Sequence, residues 1–265
     1  MDELGRLSFD KPKLRQSFSD ASATYDSVAQ LQRTVGQSLL TAADTAQLSG
    51  TLLDIGCGTG FLTGELLALS RCSLVIALDI ALPMLQLTRH KLPDNGNVHY
   101  VCADAEALPL AGHSIEHVFS NLALQWCSHP DTAFNDIKRV LKPGGQLAFS
   151  TFGTHTLQEL KAAWATVDGY SHVNDFYNQD DIGYFLQQAG FVNINLNSTT
   201  YLPRYGSVQA LMRELKCLGA HNVLVGRNKQ LTTKTALQNM IAAYQTASID
   251  GSISATFEVI TVTAS

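Results

Sequence analysis

Short apolar runs alternate with helical spacing through the first two thirds of the chain. Runs at 51–55, 74–79, 98–102, 114–121 and 146–152 predict strands, and 61–69, 82–92, 131–141 and 155–167 predict the helices between them. Such alternation argues for a parallel sheet with helices on both faces. Ahead of it, residues 26–48 place Val28, Leu31, Val35, Leu39 and Leu40 at helical spacing, while residues 1–20 are polar and mixed and read as a loose arm that orders over a site. The last third changes character. A helix at 179–189 ends at Gly190, a C-cap residue, and a sixth strand covers 191–202. Helices at about 207–219 and 233–245 then precede a final strand from Ile253 to Thr263. The two late helices form an insertion between the last two strands. The pattern divides one domain, 1–265, into an N-terminal arm and helix (1–48), a sheet core (49–170) and a helical insertion (203–250).

The most informative junction is the end of the first strand. Leu52, Leu53 and Ile55 run into Gly56, Gly58 and Gly60, and a helical pattern with Phe61, Leu62, Leu66 and Leu67 follows at once. Glycine lets a backbone turn tightly and approach a ligand closely. The helix start behind it offers free N–H groups and a positive dipole end. A dinucleotide site asks for G-x-G-x-x-G to seat a pyrophosphate. Here the third glycine arrives one residue early. Asp54, two residues before the first glycine, would repel a pyrophosphate but suits a cationic amino-acid group. The spacing favours a ligand other than a phosphate.

Two further strands end in acids. Asp79 closes the second, about 20 residues after the glycine loop, where a carboxylate can accept both hydroxyls of a ribose. The third runs into Asp104-Ala105-Glu106. Each acid alone could be a helix cap. Three strands in series, each ending in an acid or a glycine loop at its C-terminal edge, point instead to one ligand lying across that edge.

Composition narrows the class. The chain is 45% hydrophobic and 15% charged with a net charge of −5, which argues against a general nucleic-acid binder. No run of eighteen apolar residues predicts a membrane span, and Met1–Arg6 lacks a basic-then-apolar leader pattern. Five cysteines (Cys57, Cys72, Cys102, Cys127, Cys217) form no C-x-x-C pair, which fits reduced thiols in a cytoplasmic protein rather than disulfides or zinc. Cys57, inside the loop, reads as a small filler. No metal-ligand cluster and no Ser-His-Asp constellation is visible.

Asp-x-Gly-x-Gly-x-Gly after a strand resembles motif I of the class I S-adenosylmethionine (SAM) methyltransferases. Narrower segments are Ala23-Thr24-Tyr25-Asp26, Asp104-x-Glu106-x-Leu108-Pro109-Leu110, Asn121-Leu122-x-x-Gln125-Trp126, and Arg213-x-x-Lys216-x-x-Gly219-Ala220 closed by Gly226-Arg227. From about residue 13 to the end these resemble the malonyl-acyl-carrier-protein O-methyltransferases of biotin synthesis. The resemblance implies a Rossmann-like, seven-stranded, mostly parallel sheet with a helical lid. It implies SAM as cofactor, held by Asp54, Gly56, Cys57, Gly58, Gly60, Asp79, Ile80, Met84, Asp104, Ala105 and Asn121. It also implies methyl transfer to the free carboxylate of malonyl-acyl-carrier protein, with Arg213, Tyr25 and Gln125 at the substrate.

Arg213 sits off the apolar stripe of its helix, where a guanidinium can grip a carboxylate in a fork or simply face solvent. Tyr25 could equally be a core aromatic, and Gln125 could bond only the loop backbone. The lid is basic: Arg204, Arg213, Lys216, Arg227, Lys229 and Lys234 stand against Glu214 alone, inside an acidic chain. That asymmetry suits docking of an acidic carrier protein through Arg204, Lys216, Arg227 and Lys229. The expected protein is a monomer, with no nucleic-acid or membrane partner. A methylase of another small acid or of a quinone, and a non-catalytic SAM-binding regulator, are the competing readings.

Overall fold

The computed structural model describes residues 7–45, 48–69, 71–92, 96–220, 222–224, 232–245 and 251–265. Two helices lead, α1 (Lys11–Val28) and α2 (Gln30–Ala42). The core follows as β1 (Ser49–Ile55), α3 (Phe61–Leu69), β2 (Arg71–Asp79), α4 (Leu82–Lys91), β3 (Val98–Cys102), β4 (Ile115–Asn121), α5 (Pro130–Val140) and β5 (Leu141–Phe152). Then come α6 (Gln158–Ala165), α7 (Gln179–Gln188), β6 (Asn195–Tyr201), β7 (Arg204–Tyr205), α8 (Val208–Cys217), α9 (Lys234–Gln245), β8 (Ile253–Ser254) and β9 (Phe257–Ala264).

Seven strands form one sheet in the order β3-β2-β1-β4-β5-β9-β6. β1 pairs in parallel with β2 and with β4, and only β9 runs antiparallel to its neighbours. The parallel pairing is what the alternation predicts, and the seven-stranded, mostly parallel sheet is the one that the resemblance implies. The chain winds outward from β1 to β3, then restarts at β4 on the other side of β1. That reversal opens a crevice at the carboxyl ends of β1 and β4, where ligands of open α/β sheets bind. β1 reads as a continuous apolar run because successive residues face two cores. Leu53 and Ile55 pack with Phe134, Ile137 and Phe149, whereas Leu52 packs with Leu39, Leu62 and Leu66.

The N-terminal region departs from expectation. Residues from Lys11 onward are not a loose arm but the helix α1, started by Asp10, whose side chain accepts from Lys13 N, and by Pro12 in the first turn. The helix expected over 26–48 is divided at Ala29, where α1 ends and α2 begins. Only Leu14, Ser17 and Ala21 of α1 are buried, so its inward face carries too little apolar contrast to announce itself.

The last strand is also divided. The chain breaks between β8 and β9 because Glu159 captures Thr256, accepting its N–H at 2.9 Å. β8 leaves the main sheet to pair with β7, giving the insertion a small ribbon of its own. The Pro-Gly-Gly segment after Leu141 lies within β5, and its register with β4 shifts between Ile115 and His117.

Candidate cofactor and active site

The glycine loop is fixed to the neighbouring strand before it meets any ligand. Gly56 N and Cys57 N donate to Leu78 O at 2.7 and 3.0 Å. Gly56 has φ +71°, and a Cβ there would stand 2.2 Å from Ala123 Cβ, so the loop passes directly beneath the segment leaving β4. Gly58, at φ +54°, has open space where a Cβ would be. Gly60 instead packs against Thr88 of α4.

Two adjoining cavities lie along this edge of the sheet. The larger, about 660 Å³ with its open mouth, is bordered by Gly56, Gly58, Asp79, Ile80, Met84, Asp104, Ala105 and Asn121. Its cover is α1, through Lys11, Leu14, Phe18 and Tyr25, together with Trp126. The second, about 410 Å³, is bordered by Asp54, Cys57, Thr59, Gln32 and Arg33. Tyr25, Gly56, Gly58 and Asn121 border both and mark the junction. Gly60 and Gln125 border neither.

Asp79 is 7% exposed, and accepts from Ala81 N at 2.8 Å and from Gly58 N at 2.9 Å, one bond on each oxygen. A carboxylate has about four acceptor positions, so two remain for a diol. Burial pushes Asp79 up to about 6, against the hydrogen bonds from its backbone donors. Asp54 is 1% exposed. Its Oδ2 accepts from Thr63 Oγ1 at 2.6 Å, and its Oδ1 has no partner. Burial, with the charge of Asp79 adding to it, pushes Asp54 up to about 7. An orphaned, buried carboxylate oxygen at the mouth of a glycine loop is chemically suited to a cationic partner. A nucleoside bearing a diol at one end and an ammonium at the other, as SAM does, therefore fits the two cavities together.

Asn121 borders both cavities, but its amide is committed. Nδ2 donates to Gln32 O at 2.9 Å and Oδ1 accepts from Ser150 Oγ at 2.8 Å. It braces α2 against the sheet. Cys57 is buried against Ala77 and Leu85, and burial raises its thiol well above the usual range, which fits a filler. Burial, then the charges of Asp79 and Asp26, raises the Tyr25 phenol, so it stays protonated and can donate.

Two substrate residues expected from the sequence stand away from the cavities. Arg213 is exposed on α8, and its Nε donates to Gln209 O of its own helix at 3.3 Å. Gln125 is buried in the 3₁₀ turn Leu124–Trp126 and donates to Leu122 O at 2.7 Å. Among the described residues, the insertion meets the cover of the site, where Val223 and Leu224 cluster with Leu14, Phe18 and Trp126, and it also holds α1. Thr24 Oγ1 donates to Cys217 O at 2.9 Å, and a Cβ on Gly219 would meet Ser17 O at 2.8 Å. Gly226, Arg227 and Lys229 lie outside the described residues.

The sequence reading missed Lys11, Gln32 and Arg33. Lys11 has a signal in retrospect, since Asp10 and Pro12 mark a helix start. Gln32 and Arg33 have none, because polar residues on a helix do not reveal which of them face a cleft.

Comparison with known proteins agrees with this geometry. A family profile described as a methyltransferase domain matches residues 53–149. The chain is 44% identical over 247 residues to a malonyl-[acyl-carrier protein] O-methyltransferase of Methylococcus capsulatus, covering 92% of this chain and 90% of that one. It is 44% identical over 251 residues to the biotin biosynthesis bifunctional protein BioHC of Cellvibrio japonicus, covering 94% of this chain and 49% of that one. Among solved structures, a candidate methyltransferase of Bacillus halodurans superposes with a TM-score of 0.60 at 20% identity, over 87% of this chain and 98% of that one.

Proposed function

The chain belongs to the malonyl-[acyl-carrier protein] O-methyltransferases, and we propose that it transfers a methyl group from SAM to the free carboxylate of a malonyl thioester on acyl carrier protein, for biotin synthesis. The observation that carries this reading is the reach of the similarity. The methyltransferase profile covers residues 53–149, whereas the 44% identity spans 92% of the chain and so takes in most of what lies outside that profile. Those are the parts that select an acceptor.

The chemistry asks little of acid–base groups. A malonyl carboxylate is ionised at neutral pH and is already a nucleophile. When bound, the cofactor supplies a methyl group made electrophilic by its sulfonium. What the protein contributes is placement and the exclusion of water. Asp79 can take the ribose hydroxyls on its two remaining acceptor positions, and Asp104, Ile80 and Ala105 border the nucleoside end. Leu14, Phe18, Leu122 and Trp126 wall the larger cavity with apolar surface. Tyr25, at the junction, can donate a hydrogen bond from its phenol to the acceptor carboxylate and aim it.

The carrier protein would dock on the insertion. Arg204, Arg213, Lys216 and Lys234 are all exposed there, and acyl carrier proteins are acidic. On this reading Arg213 serves the docking face rather than the cavity.

The test is transfer of labelled methyl from SAM to malonyl-carrier protein, with acetyl-carrier protein and free malonate as controls. Label on the malonyl carrier alone, released by base as methanol, is the expected result. Label on free malonate at a comparable rate would reject the carrier as the substrate.

A further inference from the structure

Leu122, the residue that follows β4, has φ +51°. Left-handed backbone crowds the Cβ of every residue but glycine, and asparagine and aspartate tolerate it better than leucine does. A leucine keeps this conformation only where its surroundings enforce it, and residues held in this way cluster at functional sites. Leu122 is 9% exposed and borders the larger cavity, directly after Asn121, which borders both.

The peptide groups of Leu122 are gripped from two sides. Leu122 N donates to Ser150 O and to Ser150 Oγ of β5, each at 3.0 Å. Leu122 O accepts from Gln125 Nε2 at 2.7 Å. The turn then closes on itself, with Trp126 N donating to Ala123 O and Cys127 N to Leu124 O, each at 3.1 Å. Trp126 meets the rings of Phe9 and Phe18 edge-on and borders the same cavity as Leu122. One short turn therefore carries two apolar walls of the larger cavity, and Gln125 sits between them on the protein side.

Gln125 is 7% exposed, and only half of its amide is used, because Oε1 is buried without a partner. An unmade bond there costs at least as much as the made one returns. A methionine of similar length would serve packing equally well. The amide is accounted for by what its donor does to Leu122.

We propose that Gln125 is a positioning residue for methyl transfer. By holding Leu122 O it keeps Leu122 left-handed, and that conformation sets the Leu122 side chain, with Trp126, as the wall against which the acceptor carboxylate is aimed. The inference rests on the methyl-transfer reading above. It gives Gln125 an action through Leu122 in place of a contact with substrate. The glycine loop hangs from Leu78 O rather than from Gln125, so cofactor binding does not depend on this amide.

Steady-state kinetics on malonyl-carrier protein, with calorimetry of S-adenosylhomocysteine and thermal melts, tests it. Gln125→Met should lower kcat roughly tenfold through lost alignment, with KM and S-adenosylhomocysteine affinity held within about threefold. Its thermal midpoint should stay within about 3 °C, since one made and one unmade bond leave together. Leu122→Gly adopts the left-handed turn unaided, so adding Gln125→Met to it should cost less than about twofold further in kcat. The same loss from Gln125→Met in both backgrounds would show that Gln125 does not act through Leu122 and overturn the proposal. Equal loss of kcat and of S-adenosylhomocysteine affinity would overturn it too, as would a lowered thermal midpoint with kcat unchanged, the mark of a purely structural role. Absence of transfer by the unaltered protein would reject the reading beneath it, whereas transfer with an unchanged kcat in Gln125→Met would reject this proposal alone.

Discussion

Lys11 Nζ lies 3.0 Å from Asp104 Oδ1 and 2.6 Å from Glu106 Oε1, so the first turn of α1 is bolted to the loop that borders the nucleoside cavity. The same Glu106 oxygen accepts from Ser128 N at 2.6 Å, and Ser128 Oγ accepts from Phe9 N at 3.0 Å. The cover and the site therefore share one polar network, largely screened from water. Lys11→Met would leave two carboxylates side by side without a cation. Thermal unfolding should shift down by about 1 kcal/mol or more, about 2–4 °C for a chain of this size. S-adenosylhomocysteine should dissociate several-fold faster in stopped flow. A slower release would show that Lys11 obstructs the site rather than closing it.

How much of this was legible in the sequence follows from what each residue faces. β1 and β2 are buried on both sides, so they read as apolar runs, and their terminal acids stood out against that background. The glycine loop was equally plain, because Gly56 cannot carry a Cβ beside Ala123. The cover was not. α1 buries one large apolar residue, Leu14, beside the small Ser17 and Ala21, which is too little apolar contrast to announce a helix. Arg213 could be placed off its helix's apolar stripe, but no periodicity states whether the free side of a helix meets a cleft or solvent. Lys11 and Arg33 face cavities only because of how α1 and α2 cross the sheet edge, which is a tertiary fact.

The two glycines of the loop should fail differently. Gly56→Ala forces a contact with Ala123 that only a backbone shift can relieve, so loss of folded protein or a large drop in thermal midpoint is expected. Gly58→Ala meets no protein atom. Its cost is the left-handed backbone, roughly 1–2 kcal/mol, and its methyl would project into open space at the ligand cavities. It should fold and bind S-adenosylhomocysteine weakly. Tight binding by folded Gly58→Ala would show that the ligand does not approach this backbone.

Asp54 should destabilise the ligand-free protein at neutral and higher pH. Its folded value, about 7, lies above the ordinary carboxylate value of about 3.9. Between these values the folded state holds a proton that the unfolded chain has lost. Stability from this group is full below about pH 4 and declines as pH rises toward 7. Asp54→Asn should thus match the unaltered protein near pH 4 and exceed it at about pH 8, by at least ~1 kcal/mol or about 2–4 °C. It should also bind S-adenosylhomocysteine more weakly. Thermal melts across pH, with and without ligand, check both, and a gain that is the same at every pH would contradict the burial of a charge.

Docking on a basic insertion has an ionic signature. Raising salt from about 50 to about 300 mM shortens the reach of surface charges, so the apparent KM for malonyl-carrier protein should rise several-fold. The affinity for S-adenosylhomocysteine, set by enclosed groups, should change much less. Reversing charge at Lys216 and Arg204 together should reproduce the effect at low salt. A KM indifferent to both would place the carrier elsewhere on the surface.

Tyr25 separates positioning from proton transfer. It stands where the two cavities meet, and burial together with Asp79 and Asp26 holds its phenol protonated. A phenol that donated its proton outright would be required to ionise, whereas one that only orients a carboxylate keeps its proton throughout. The acceptor needs no base, because the malonyl carboxylate is ionised over the whole working range. Tyr25→Phe should therefore lower kcat by roughly tenfold through lost alignment. It should leave S-adenosylhomocysteine affinity nearly unchanged, since the ring still fills its place. The rate of the unaltered enzyme should show no limb between about pH 7 and 9 that Tyr25→Phe abolishes. Such a limb would mean that the phenol titrates during turnover and takes part in the chemistry itself.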